Sequence, residues 1–238
     1  MDYRTIYQNS MENPEAFWAD TAAELVWTKP WDKVIDDSDA PYYEWFAGGE
    51  INTCYNALDR HCEEGWAEQT ALIYDSPVTN QVRKYSYAEL RDEVAVFANV
   101  LQRNDVGKGD RVIIYMPMIP EAVIAVLACA RIGAVHSVVF GGFAAKELAT
   151  RVVDASPKLV VSASCGIEGK KVIPYIPLLD EALELAGVEN LTRVLVSRPE
   201  LPIENLHSSA ILWQDAVAQA HAVDCVPVSS TDPLYILY

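Results

Sequence analysis

The chain has 238 residues, enough for one to two domains at roughly 150 residues each, and 51% of them are apolar. That is the composition of a globular protein with a core of its own, which at this length needs no disulfide or metal staples. Lys and Arg number 18 and Asp and Glu 34, a net charge of −16; this field repels nucleic acid and anionic membrane, so any anionic ligand must be held by local donors.

Residues 1 to about 50 alternate tryptophans (Trp18, Trp27, Trp31, Trp45) with acids, and Pro14, Pro30 and Pro41 interrupt any period. Tryptophans in such a segment need apolar partners, so it reads as an irregular arm laid across a larger body. Met1 to Ser10 is polar and lacks the apolar segment of a secretory signal. Ala71 to Tyr74 and Lys84 to Tyr87 read as short strands around a turn at Asp75, Ser76, Pro77 and Asn80. Ser86 with Glu89 makes a capping box, and Leu90, Val94, Ala98 and Leu101 behind it form one apolar helical stripe. Gly107 and Gly109 end that helix.

A regular alternation follows. Strands are expected at Arg111 to Met116, Ala134 to Phe140, Leu159 to Ala163 and Arg193 to Val196. Helices are expected from Pro120 to about Ile132, and over Ala144 to Asp154, Pro177 to Ala186 and Leu212 to Ala220. Short β-branched runs between helices predict an α/β fold, a mainly parallel, doubly wound sheet with flanking helices. The longest unbroken apolar run, Ala122 to Ala130, is far short of the roughly 20 residues of a membrane helix, so a cytoplasmic chain is expected. The sequence ends on an apolar strand, Leu234 to Tyr238.

Cys54, Cys62, Cys129, Cys165 and Cys225 are scattered, and no C-x-x-C pair occurs. They read as reduced structural thiols; Cys54, His61 and Cys62 fall short of the four ligands of a structural metal site, and no metal is expected. Phe140-Gly141-Gly142-Phe143 lies between a strand and a helix. Two glycines there admit a ligand close to the backbone, and the helix behind offers free N–H groups to an anion. A plain tight turn accounts for them equally well. Gly166 to Lys171 follows the next strand, and Lys170 and Lys171 there are either phosphate contacts or a solvated loop, which composition favours. His136, inside an apolar strand, reads as a core histidine with a satisfied ring rather than a general base. His207 and His221 suggest nothing, and no complete catalytic set is visible. The absence of G-x-G-x-x-G and of G-x-x-x-x-G-K-[ST] argues against a nicotinamide oxidoreductase and a P-loop enzyme.

Longer stretches carry a resemblance. Trp45-Phe46-Ala47-Gly48-Gly49-Glu50-Ile51-Asn52, with Asn56 and Asp59-Arg60-His61, resembles the N-terminal segment of short-chain acyl-CoA synthetases. Tyr85 to Leu90 resembles the opening of the large domain of AMP-forming, adenylate-forming enzymes. His136 to Phe143 is similar to acetyl- and propionyl-CoA synthetases, and Asn52 to His61 with Ser164 to Glu168 is most similar to the propionyl branch. The resemblance covers essentially the whole chain. It implies an arm over residues 1–65 and the first part of the AMP-binding domain over 66–238. It implies ligation of propionate, or alternatively acetate, to CoA: ATP and Mg2+ give an acyl-adenylate and pyrophosphate, and the CoA thiol displaces AMP. It also implies a CoA nucleotide site along Phe140, Gly141 and Gly142 and along Glu168, Gly169, Lys170 and Lys171. Acetyl-CoA synthetases carry arginines where Glu168 and Lys171 stand here. An ammonium keeps a phosphate contact without the bidentate fork, whereas a carboxylate repels phosphate.

In the family the strand matching Leu234 to Tyr238 runs into a Ser/Thr/Gly-rich phosphate loop. That loop, the acyl pocket and the C-terminal catalytic lysine lie further on, so the resemblance implies no catalytic residue in this chain and no adenylation by these residues alone. The alternative is a non-catalytic α/β binding or interaction domain, a short remnant of such an enzyme.

Overall fold

A computed structural model describes residues 2–238. Asp2 starts the first helix: its carboxylate accepts the Thr5 N–H at 2.9 Å, and α1 runs over Tyr3–Glu12. Pro14 begins α2 (Pro14–Ala22), because a proline in the first turn removes an N–H that has no partner there anyway. Four short strands follow, β1 (Trp27–Lys29), β2 (Lys33–Asp36), β3 (Glu44–Ala47) and β4 (Glu50–Ile51). Two π-helical turns, Tyr55–Asp59 and Cys62–Trp66, complete the segment. The arm is thus more regular than its sequence texture. Its tryptophans pack largely on one another and on Phe46: Trp27 and Trp31 lie 4.9 Å apart, and Trp31 and Phe46 5.2 Å. Among the ties of the arm to the body is Asn52, whose buried amide donates to the carbonyls of Ala130, Arg131 and Val226 at 2.8–3.0 Å.

The hairpin β5 (Thr70–Ser76) and β6 (Gln81–Ser86) leads into α3 (Tyr87–Arg103), with the capping box formed. Ser86 Oγ accepts the Glu89 N–H at 3.2 Å, and Glu89 Oε2 accepts the Ser86 N–H at 2.8 Å. Then come β7 (Arg111–Met116), α4 (Pro120–Arg131), β8 (Val135–Phe140), α5 (Ala145–Ala155) and β9 (Leu159–Ala163). A hairpin, β10 (Cys165–Glu168) and β11 (Lys171–Pro174), interrupts the alternation, where a loop was expected. After it run α6 (Ile176–Leu185), β12 (Thr192–Val196), β13 (Ala210–Leu212), α7 (Trp213–Ala218) and β14 (Val228–Ser229), which pairs with β4 of the arm.

The central sheet is parallel, in the order β13-β12-β9-β7-β8. Both faces are buried, which is why its strands read as near-continuous apolar runs. Val112, Ile114 and Val161 face α3, α4 and α7; Ile113, Tyr115 and Val160 face α5 and α6. This is the expected doubly wound arrangement. Leu234–Ile236 lies beside β8 with a single parallel bridge, Ile236 N–H donating to the His136 carbonyl at 2.9 Å. The expected final strand is therefore an extended segment with one rung of pairing. Among the described residues no helix is long and apolar enough to cross a membrane.

Candidate functional site

Strand order brings two loops to one place. β7 lies between β8 and β9, so the turn after β8 and the hairpin after β9 flank the carboxyl end of β7. The chain moves from β7 to β8 on one side and returns to β9 on the other. This is the topological switch point, where open α/β sheets take their ligands.

Tyr175, at the foot of the hairpin, is the buried wedge between the two loops. A Cβ on Gly141 would sit 2.6 Å from its Cε2, and one on Gly166 would sit 2.5 Å from its Cζ. Both glycines are thus needed so that the phenol ring can lie against backbone. Tyr115 packs on the other side, ring centres 5.0 Å apart, and its hydroxyl donates to the Phe143 carbonyl at 3.1 Å. Burial pushes the Tyr175 phenol up to about 12 and raises that of Tyr115, so both stay protonated. Substituting Gly166 with Ala is expected to cost about 1–3 kcal/mol by overpacking. Tyr175→Leu in the same chain is expected to recover much of that loss, read as urea midpoints of the two single variants and the double.

Gly142 takes φ +119° and is exposed, and a Cβ there would stand 3.1 Å from Glu168 Oε1. The structure therefore brings Gly142 beside Glu168, while Gly141 lies against Tyr175 instead. Gly169, at φ +59°, makes the hairpin turn, and Lys170 and Lys171 are exposed at its tip, Lys171 paired in register with Glu168. The hairpin thus carries two lysines and one carboxylate, and Gly142, which stands beside Glu168, leads into α5. Point charges and backbone donors of this kind are the groups an anion pairs with, and Glu168 opposes them. Arg151 of α5 adds a guanidinium 4.9 Å from the Phe143 ring centre and 5.1 Å from that of Tyr238. Tyr115, Tyr175 and Arg151 were not among the expected site residues. The signal for Tyr175 was the recurrence of glycine just past β8 and β9, the two strands that flank β7, each glycine leaving room for one bulky side chain.

The histidine reading needs one correction. His136 is buried as expected, but its ring is not satisfied: Nδ1 has no hydrogen-bond partner among the described residues. Cys54 and His61 do not converge with Cys62; His61 packs on the Tyr87 ring at 4.8 Å, while Cys54 meets Asp59 and Cys225.

Comparison with known proteins gives the family of the chain. A family model described as AMP-binding enzyme matches residues 58–238, and one described as acetyl-coenzyme A synthetase N-terminus matches residues 3–57. An uncharacterised protein of Pseudomonas aeruginosa is 54% identical over the whole chain, which covers 38% of that relative. The mitochondrial acyl-CoA synthetase short-chain family member 3 of Mus musculus is 49% identical over the whole chain and 35% of its own length. The acetyl-coenzyme A synthetase of Laribacter hongkongensis is 44% identical over 99% of the chain and 36% of its own length. The chain thus spans little more than a third of the length of these relatives. The acetoacetyl-CoA synthetase from Streptomyces lividans shares the fold, with a TM-score of 0.88 at 24% identity over the whole chain and 36% of that structure. A family model that accounts for everything from residue 58 to residue 238 assigns the chain plainly: it belongs to the AMP-binding enzyme family, led by a stretch of the acetyl-coenzyme A synthetase N-terminus type.

Proposed function

We propose that this chain serves an AMP-forming acyl-CoA ligase for a short carboxylate, with propionate preferred over acetate, and that the corner beyond β7 takes the nucleotide end of CoA. In that reading residues 1–65 are the arm and 66–238 the first part of the AMP-binding domain. The observation that carries it is the meeting of Gly142 with the Glu168–Lys171 hairpin tip at the switch point. Lys170 and Lys171 hold phosphate as point charges, and Gly142 lets it approach the backbone. ATP, with Mg2+ on its phosphates, supplies the adenylate and CoA the thiol that displaces AMP. The preference for propionate rests on resemblance over Asn52 to His61 and Ser164 to Glu168. One methylene is worth only about 1–3 kcal/mol, so the ratio of kcat/KM for propionate and acetate in the ligase decides it. Adenylation by these 238 residues alone is not expected, and pyrophosphate release from ATP and propionate checks that. The same reading puts the protein in the cytoplasm, which cell fractionation tests against the mitochondrial location in the name of one relative.

Binding is tested by the thermal shift with CoA and with inorganic pyrophosphate. Lys171→Ala is expected to weaken CoA binding about tenfold, and Glu168→Gln to strengthen it by a similar factor, both effects shrinking in salt. Unchanged affinity in both variants would remove the hairpin from the site.

Val138, Phe140, Tyr235 and Leu237 are exposed beside the sheet edge at β8, and they favour one second reading. Such an apolar strip fits an interaction domain that pairs with another chain. A monomer in sedimentation at all concentrations counts against it.

A further inference from the structure

Cys54 and Cys225 are 171 positions apart in sequence, yet they meet where the arm joins the body. Cys54 precedes the first π-helical turn and is fully buried; Cys225 lies on irregular backbone between α7 and β14 and is half-buried. Their sulfurs and a carboxylate oxygen of Asp59 all lie within 4.8 Å of one another. Arg131 fills the remaining side: its guanidinium is bidentate to Asp59 at 2.8 and 3.0 Å, and Nη1 is 3.6 Å from Cys54 Sγ. A cation is thus already built into the cluster, where it neutralises Asp59 and stabilises a thiolate on Cys54. A divalent metal would have to displace it, so the three donors make a poor metal site and a good thiol pair.

We propose that Cys54 and Cys225 are a reversible redox pair that hydrogen peroxide converts to a disulfide, clamping the arm segment to the chain that runs from α7 to β14. The Cys54 thiolate attacks one peroxide oxygen. The O–O bond breaks, hydroxide leaves and takes up a proton, and Cys54 becomes a sulfenic acid. Cys225 sulfur then displaces the sulfenic oxygen, which departs as water, and the S–S bond forms. In sum, two thiols and one peroxide give one disulfide and two waters: the dithiol loses two electrons and the peroxide gains them. Cys225, with its partial exposure, gives an oxidant the size of water its way in. The sulfurs close from within 4.8 Å to about 2 Å by side-chain torsion, aided by the irregular backbone that carries Cys225.

The remaining cysteines lack this setting. Cys129 is sealed in the core, where burial pushes its thiol up to about 12, and burial also raises Cys62 and Cys165. The neighbouring Cys225 thiol, whose Sγ also donates to Asp59 Oδ2 at 3.7 Å, and then Arg131 shift Cys54 the other way. Reactivity follows thiolate character, so oxidation should single out this pair. A transient disulfide of this kind suits a protein kept in a reducing compartment.

The test uses the polypeptide as its own cells make it, purified reduced, titrated with hydrogen peroxide, then alkylated and mapped by mass spectrometry. The expected result is a linked peptide joining Cys54 to Cys225, about tenfold more abundant than any other disulfide and lost on adding dithiothreitol. In Cys225→Ser, Cys54 should stop at the sulfenic acid and be captured by dimedone. Separate alkylation of both thiols after peroxide, linkage to another cysteine, or sulfinic acid on Cys54 without linkage would each overturn the proposal. So would one equivalent of zinc held by the reduced protein and released by Cys225→Ser. The wild-type peptide map decides even where the serine variant does not fold.

Discussion

Arg131→Ala is expected to destabilise the protein by about 3–5 kcal/mol, the range for breaking a buried ion pair from one side. The side chain sits at the end of α4 and is 4% exposed. It satisfies four partners at once: both Asp59 oxygens, the Val223 carbonyl at 2.6 Å from Nε, and Cys54 Sγ. Truncation leaves the Asp59 carboxylate, itself 14% exposed, without a counter-charge, and frees the Val223 carbonyl as well. Urea unfolding of the variant measures the loss. The companion variant Arg131→Met with Asp59→Leu removes both charges and is expected to recover most of it, since paired buried ions repay little beyond their own desolvation. If the double variant is as unstable as Arg131→Ala, the loss comes from packing and not from an orphaned charge.

The sequence made the central layer legible because there the local pattern and the tertiary environment agree. Residues 112–116 of β7 and Leu159–Ala163 are buried on both faces, so a near-continuous apolar run was the right signal and gave both strands their observed bounds. Ser86 and Glu89 announced α3 by a bond pattern that is entirely local. The hairpin β10–β11 was opaque for the opposite reason. Its outer residues Glu168, Lys171 and Val172 are exposed, and the residue that anchors it, Tyr175, packs on Gly141, 34 positions away. No window of neighbouring residues contains that contact. The arm hid its two helices in a similar way: α1 buries no residue and α2 only Ala22, so neither needs the apolar stripe by which helices are found. For the candidate site, then, the position of the glycine turn and of the paired lysines was readable, but the tyrosine that holds the two together was not.

Acid is expected to unfold the protein in a window set by His136. Burial holds its imidazole down to about 4, against an ordinary value near 6.5, and leaves Nδ1 without a partner among the described residues. The folded state keeps the ring neutral while the unfolded chain takes up a proton below about pH 6.5. Stability from this residue is therefore complete above pH 6.5 and is lost as the pH falls toward 4, by about 3 kcal/mol at pH 4. Glu93 works in the opposite direction, since burial raises its carboxyl and lets the folded state bind its proton first. Asp232, held down chiefly by its bond from Lys108, is lost only below the ordinary carboxylate range, so it does not blur the window. His136→Phe removes the titration and fills the site beside Tyr235, whose ring centre is 5.7 Å away. The variant should match the wild type within about 1 kcal/mol at pH 7 and exceed it by about 3 kcal/mol at pH 4, read from urea midpoints at both values. Parallel curves at the two pH values would show that His136 reaches solvent. The backbone of the same residue carries the rung to Leu234–Ile236, with His136 N–H donating to the Leu234 carbonyl at 3.3 Å. Protonation thus acts where only a single rung joins β8 to the last segment, and hydrogen exchange at Ile236 should quicken before the amides of β7 do.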